Sequence, residues 1–295
     1  MVDASRLGFG GAPLGGLFAE LDDATAHATV DRAWEAGIRF FDTAPLYGSG
    51  VSERRFGAAL RQRPRAEFTL STKVGRLLRP GEPDPLFDRA PPLAPVYDFS
   101  PDGVRRSLAE SLERLGLDRI DIALIHDPEP HLEEALAAVE PLREAVAAVG
   151  VGTNSVQTAL TFVREAPIDY VMIAGRYTLL DRSATVELVP LAHERGVRVL
   201  VAGVYNSGIL AGGTTFDYAA APAEIVERAA RLREVCARHD VPLAAAAIQF
   251  PLRDPHVSRI VVGARAPAEV DANAELLAVP IPDELWAELD NAELG

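Results

Sequence analysis

The sequence is poor in cysteine, in positive charge and in long apolar runs, and each shortage narrows what the chain can be. Its one cysteine, Cys236, can form no disulfide within the chain, which is the pattern of a reducing compartment. Its 29 Lys and Arg residues face 43 Asp and Glu residues, for a formal net charge of −14. That balance argues against a broad surface for nucleic acid, although a local basic patch could still take a small anionic cofactor. No stretch approaches the ~20 consecutive apolar residues of a membrane span. The opening Met1-Val2-Asp3-Ala4-Ser5-Arg6 lacks the basic start and apolar run of a signal peptide. The six histidines show no paired metal-ligand spacing, and two prolines stiffen His126-Asp127-Pro128-Glu129-Pro130-His131, so no metal is expected. Neither a Walker loop nor a serine-nucleophile elbow occurs. The expectation is a soluble, cytoplasmic protein that takes a small molecule, with no nucleic-acid or membrane partner. Nothing in the sequence speaks to its oligomeric state.

What is present is 48% hydrophobic residues in 295 positions, arranged as short apolar runs alternating with longer helical segments. The runs predict strands at Ile38–Phe41, Phe68–Thr72, Asp121–Ile125, Val149–Gly152, Tyr170–Ile173, Val197–Ala202 and Arg259–Val262, with a weaker one at Leu7–Gly10. They are apolar at nearly every residue, as parallel strands buried on both faces should be. Between them lie amphipathic segments. In one, Ser100 is placed to cap, Pro101 fits the first helical position, and Val104, Leu108, Leu112 and Leu115 share a face. A glycine recurs where a helix should hand over to a strand, at Gly37, Gly150 and Gly196. Eight β–α units fit the length, so residues 1–295 are read as one α/β domain, a (β/α)₈ TIM barrel. Two connections exceed what a barrel needs. Residues 80–98 carry six prolines, too many for a helix or inner strand, and residues 203–222 are rich in Gly, Ala and Thr. Both follow strands, which places them on the C-terminal face where barrel enzymes build their sites.

The polar residues that end the strands carry the chemistry. Asp42, Lys73 and His126 follow the second, third and fourth predicted strands, and Tyr47 lies five residues beyond Asp42. Ionisable groups gathered in one mouth must pair if they are buried. An Asp42–Lys73 pair beside a tyrosine does so usefully, because an ammonium favours the tyrosinate and opposes the desolvation that would raise its pKa. A neutral His126 could then hold a substrate oxygen against Tyr47. Such a device exchanges a proton with an alcohol or alkoxide while hydride moves, and the hydride must come from a cofactor.

These residues also carry a resemblance. The runs Phe41-Asp42-Thr43-Ala44-Pro45-Leu46-Tyr47-Gly48, Ser71-Thr72-Lys73-Val74-Gly75, Leu115 to Asp121, Ile125-His126, Gly150 to Asn154 and Val262-Gly263-Ala264-Arg265 resemble an aldo-keto reductase over essentially the whole chain. The resemblance implies the barrel, a nicotinamide cofactor, and a tetrad of Asp42, Tyr47, Lys73 and His126. Within that family, Gly75 to Pro80, Tyr97 to Ser100, His126-Asp127-Pro128 and Tyr205 to Ala211 resemble the L-fucose or D-threo-aldose 1-dehydrogenase group, which includes pyridoxal 4-dehydrogenase. That implies oxidation of a sugar at C1 to its lactone, or of an aromatic alcohol or hemiacetal, with general carbonyl reduction as the alternative.

The resemblance also implies cofactor contacts, with departures. Asn154 is placed for the carboxamide. The glutamine that often holds it has no counterpart in Met172-Ile173-Ala174-Gly175, and Tyr205 either stacks on the nicotinamide or packs in its loop. The adenosine end falls against residues 263–273. A lysine of phosphate-selecting members aligns with Gly263 and an arginine with Glu269, which favours NAD. Arg265 suits a phosphate or an adenine face, which keeps NADP open, or else faces solvent at a helix start. Asn273 lies just beyond. Two other classes of function fit the same residues. One is a lyase using Lys73 as a Schiff-base amine, which Asp42 would oppose; the other is a non-catalytic subunit that senses cofactor.

Overall fold

Short strands with apolar side chains on both faces pair edge to edge until no edge is left free, in a computed structural model that describes residues 4–291. In chain order the first six are β1 (Leu7–Gly10), β2 (Phe40–Asp42), β3 (Thr69–Val74), β4 (Arg76–Pro80), β5 (Leu93–Tyr97) and β6 (Ile122–His126). Then come β7 (Ala148–Thr153), β8 (Tyr170–Ala174), β9 (Arg198–Ala202), β10 (Thr215–Phe216), β11 (Ala219–Ala220) and β12 (Val257–Gly263). Eight of them close a parallel barrel in the order β1-β12-β9-β8-β7-β6-β3-β2, with β2 pairing back to β1. Outside it lie α1 (Asp23–Glu35), α2 (Val51–Leu60), α3 (Pro101–Leu115), α4 (Leu132–Ala137), α5 (Val139–Arg143) and α6 (Val156–Glu165). They continue with α7 (Ser183–Val186), α8 (Leu188–Glu194), α9 (Ala223–Ala237), α10 (Leu243–Gln249), α11 (Pro267–Ala278) and α12 (Asp283–Asn291). The expected (β/α)₈ barrel is what forms. No helix among the described residues is long and apolar enough to cross a membrane.

Side-chain alternation splits the core in two. Phe40, Ile122, Leu124, Met172, Leu200 and Val261 point inward and plug the barrel. The alternate residues, such as Phe41, Leu70, Ile125 and Val171, point outward and pack under the helices. Helix α3 starts as its sequence requires: Ser100 accepts from the Gly103 amide, Pro101 takes the first helical position, and Val104, Leu108 and Leu115 are buried.

Several boundaries move for physical reasons. β2 begins at Phe40 rather than Ile38, because Gly37 (φ +86) leaves α1 left-handed and the Ile38 amide still bonds back to Ala33. β3 runs on to Val74, so Lys73 lies inside the strand. Gly150 does not terminate a helix; it lies within β7, where a Cβ would meet the Tyr170 carbonyl oxygen at 2.2 Å. Its role is close approach of neighbouring strands. The proline-rich 80–98 segment begins and ends in an antiparallel ribbon of β4 and β5, in which Leu78 pairs with Pro95. A two-stranded ribbon has free edges, where proline's missing donor is harmless. Residues 203–222 hold a 3₁₀ segment, Asn206–Ala211, and the small β10–β11 hairpin. Both excursions leave the C-terminal ends of barrel strands.

Candidate active site

The two-residue period that fills the barrel also aims the polar groups. On β2, Phe40 is followed two residues later by Asp42; on β6, Leu124 is followed by His126; on β3, Ser71 is followed by Lys73. All three therefore point inward above the apolar plug. Lys73 Nζ donates to Asp42 Oδ2 at 2.6 Å and to the Thr43 carbonyl at 3.1 Å, with both side chains almost fully buried. The same ammonium lies 4.7 Å from the centre of the Tyr47 ring, and the His126 ring meets that ring edge-on at 6.1 Å. The four tetrad residues are thus brought together. Tyr47 is held from below by a contact only glycine permits: a Cβ on Gly48 (φ +63) would lie 2.1 Å from the Gly15 carbonyl oxygen. Behind the pair, Glu53 is fully buried and accepts from Thr72 at 2.9 Å and Arg114 at 2.5 Å, which locks α2 to β3 and α3.

Electrostatics assign the protonation states. Burial alone would lower the Lys73 pKa, but the Asp42 carboxylate outweighs it and the ammonium is held charged. Lys73 is therefore no Schiff-base amine, which weighs against the lyase alternative. His126 is pushed well below its usual range by burial, then by the charges of Arg76 and Lys73, so it is neutral. Its Nδ1 is buried without a hydrogen bond. Tyr47 keeps part of its surface open to the cavity, yet desolvation still pushes its pKa up, with Lys73 pulling down against it. Lys73 therefore acts in the expected direction, but burial wins and the resting group is the phenol.

One contact of the site lies beside His126. The chain leaves β6 through Asp127, a non-glycine residue at φ +41, whose amide bonds to the Gly152 carbonyl. Asp127 Oδ2 accepts from Arg76 Nη2 at 2.6 Å and lies 3.4 Å from His126 Nε2. Arg76 is buried to 9% exposure, with its Nε unpartnered. A buried donor left unmade costs about 1–3 kcal/mol. The nearby His131, which shared a possible metal-ligand run with His126, instead packs on Tyr97 and Phe99 at 5.4 and 5.8 Å.

A cavity of about 530 Å³ opens from the tetrad across the barrel mouth. Asn154, Tyr205, Gly263 and Arg265 line it with the tetrad, and Met172, Ala174 and Ala202 form its floor. Glu269 and Asn273, on α11, do not reach it. The Glu269 carboxylate accepts from the Arg265 amide at 2.8 Å, and Asn273 accepts from the Tyr205 hydroxyl at 2.9 Å. A Cβ on Gly263 would come within 2.6 Å of Pro13. Phe18 was missed, but the two long connections do reach the site, through Phe87 in one and through Tyr218, Ser207 and Gly208 in the other, the last two following Asn206 in a left-handed run. The adjacent Asn206-Ser207-Gly208 residues were the available signal, since such residues tolerate that conformation.

These residues suit a nicotinamide dinucleotide. The left-handed 207–208 backbone and the Arg265 guanidinium offer an anion two kinds of donor, and small residues leave room for a flat ring beside Tyr47. Arg176 braces that wall, donating to the Asn154 carbonyl at 2.9 Å and gripping Asp217 through two bonds of 3.0 and 3.1 Å.

Barrel, mouth and cavity define an NAD(P)-dependent oxidoreductase. The chain belongs to the aldo/keto reductase family, whose model matches residues 6–293. It is 47% identical to a D-threo-aldose 1-dehydrogenase of a Pseudomonas species, over 98% of this chain and 94% of that protein. A pyridoxal 4-dehydrogenase of Microbacterium luteolum is 41% identical over the same shares. Among solved structures, the holo form of an aldo-keto reductase from Bacillus halodurans superposes with a TM-score of 0.78 at 27% identity, covering 98% of this chain and 94% of that one.

Proposed function

We propose that the enzyme oxidises an aldose at C1, taken as its cyclic hemiacetal, to the lactone, and that it prefers NAD to NADP. The observation that carries the substrate class is the Arg76–Asp127 ion pair in the wall beside His126. A charged wall at that point suits a hydroxyl-bearing chain and opposes a purely aliphatic one. The aldose 1-dehydrogenase at 47% identity supports the same class. Second in weight is pyridoxal, itself a cyclic hemiacetal in water, supported by the 41% relative and by Phe87, whose ring lies 6.0 Å from that of Tyr47.

A bound nicotinamide would supply the acceptor for the hydride of C1. Tyr47 first gives its phenol proton to solvent, then takes the proton from O1 as the C1–O bond becomes a carbonyl, and so ends the step as the resting phenol. Lys73 stabilises the transient tyrosinate through its fixed positive charge, and Asp42 holds Lys73 in place. His126, neutral, hydrogen-bonds O1 and orients it to Tyr47. Asn154 and Tyr205 would hold the nicotinamide end, and Arg265 the adenosine end. Gly263 has no room for a phosphate-binding lysine beside Pro13, and the exposed Glu269 carboxylate disfavours a 2′-phosphate.

Reduced-nicotinamide absorbance tests this reading with NAD and NADP, each offered with L-fucose, L-galactose, D-arabinose and pyridoxal. Aldose turnover faster with NAD is expected. Turnover confined to the reduction of simple aldehydes would replace it with general carbonyl reduction.

A further inference from the structure

The mouth holds a second set of polar groups that the proton chemistry leaves unused. Asp127 Oδ2 is committed to Arg76, but Asp127 Oδ1 makes no hydrogen bond among the described residues. Arg76 gives one nitrogen to Asp127 and leaves its buried Nε unpartnered, while Tyr97 lies across its guanidinium at 5.1 Å. Both residues line the cavity. The pair is also held rigidly. Asp127 is fixed by its left-handed backbone and its amide bond to Gly152, and Arg76 opens the β4–β5 ribbon at the residue paired with Tyr97.

We infer that Arg76 and Asp127 read the hydroxyl on the carbon next to the reacting one, an assignment that rests on the aldose reading above. The geometry selects that hydroxyl over more distant ones. Asp127 Oδ2 lies 3.4 Å from His126 Nε2, the nitrogen that the aldose reading assigns to the reacting oxygen because Nδ1 is buried. A substrate whose O1 reaches His126 can therefore place its vicinal O2 between Asp127 and Arg76. There O2 donates to the carboxylate and accepts from the guanidinium, so that acceptor and donor are used together. A 2-deoxy substrate leaves both protein groups facing an apolar carbon, and a site built to bond a hydroxyl discriminates against such an analogue. The pair thus acts as a specificity element and a positioning device, turning C1 towards the hydride acceptor by anchoring its neighbour. It takes no part in the proton transfer itself.

The test compares substrates differing only at that hydroxyl. In the oxidising direction these are an aldose and its 2-deoxy form; in the reducing direction, glycolaldehyde and acetaldehyde. The wild-type enzyme should favour the hydroxylated member of each pair in kcat/KM by about 10- to 100-fold, with kcat as well as KM contributing to the difference. In Asp127→Asn and Arg76→Gln that ratio should fall towards one, with quenching of protein fluorescence by reduced nicotinamide confirming a folded, cofactor-binding enzyme. A wild-type enzyme that treats both members alike overturns the inference without any variant. So does a ratio that survives both substitutions, even if aldose turnover stands. A preference seen for glycolaldehyde and lost in the variants, with no aldose oxidised, would keep the hydroxyl reader and discard the aldose reading.

Discussion

The two ends of the barrel carry the same kind of ion pair and use it differently. At the N-terminal end, Asp121, just before β6, accepts from the Leu70 amide of β3 and from Arg65, both at 2.7 Å. Asp169, just before β8, repeats the device, accepting from the Val149 amide of β7 and from Arg143, both at 2.9 Å. Each aspartate ties its strand to the neighbouring one, in part-exposed surroundings, and spends its bonds on register. At the C-terminal mouth the pairs are Asp42–Lys73 and Asp127–Arg76, and there Asp42 Oδ1, Arg76 Nε and His126 Nδ1 are buried without partners. Buried polar atoms are normally satisfied, and Arg65 Nε at the N-terminal end is also an exception, so the mouth differs from the base in how many such atoms it gathers and not in having any. The same chemistry fixes strand register at one end and lines the cavity at the other.

The largest effect should come from the mouth. Tyr47→Phe removes only a hydroxyl, yet turnover should drop by about 10²- to 10⁴-fold, the range of acid–base catalysis. Titration of protein fluorescence with cofactor should show binding retained. Substantial residual turnover would place the proton transfer on another residue and weaken the contrast between the two ends. On the proposed mechanism oxidation needs Tyr47 as a base, and burial raises its pKa, so the wild-type oxidation rate should climb towards alkaline pH.

Lys73→Met comes next, because it leaves Asp42 buried and alone. Removing one partner of such a pair costs about 3–5 kcal/mol. Without Lys73, burial is the dominant influence on Asp42 and raises its carboxyl further. A carboxyl raised in the folded state stabilises it at low pH, and that stability is lost as pH rises through the folded value. The variant should therefore be less destabilised at pH 5 than at pH 8 in urea unfolding. Equal losses at both would show that Asp42 does not take up the proton. The alkaline limb of oxidation should also move to higher pH, since Lys73 no longer pulls Tyr47 down.

What could be read in advance follows the same division. Asp42, Lys73 and His126 were legible because a strand's period of two carries the inward direction from Phe40, Ser71 and Leu124 to the next residue of that set. Tyr47 was legible from its spacing to Asp42. The Asp127–Arg76 contact was not, because it depends on a left-handed residue before a proline and on β4 leaving the barrel in a ribbon. Gly150 was misread because a glycine that lets strands approach looks, in sequence, like one that ends a helix. Glu269 was read for its effect on a 2′-phosphate; its bond to the Arg265 amide, which a carboxylate three residues into a helix readily makes, was not foreseen. The direction of the Tyr47 shift depends on how much protein surrounds the ring, and no local pattern encodes that.

His126 offers a smaller effect with a definite sign. It is neutral when folded because burial, followed by Arg76 and Lys73, depresses its pKa. The unfolded chain protonates this residue near pH 6.5. Below that pH the unfolded state binds the extra proton, so stability should fall by about 1.4 kcal/mol per pH unit until the folded value is reached. His126→Gln should lose that part of the acid slope; an unchanged slope would mean that His126 already carries its proton in the fold.

The smallest effect should be at the other end, where it sharpens the contrast most. Asp169→Ala removes one acceptor from the Val149 amide and one partner from a half-exposed Arg143. An exposed pair contributes about 0–1 kcal/mol and a backbone hydrogen bond about 1 more, so unfolding should become easier by about 1–2 kcal/mol. Turnover should not change, because Asp169 touches β7 at its start, while Thr153 and Asn154, which line the cavity, lie at and just past its far end. A fall in kcat without a fall in stability would mean that strand register at the bottom is transmitted to the mouth. In that case the two ends would be one device, and their ion pairs could not be assigned separate roles.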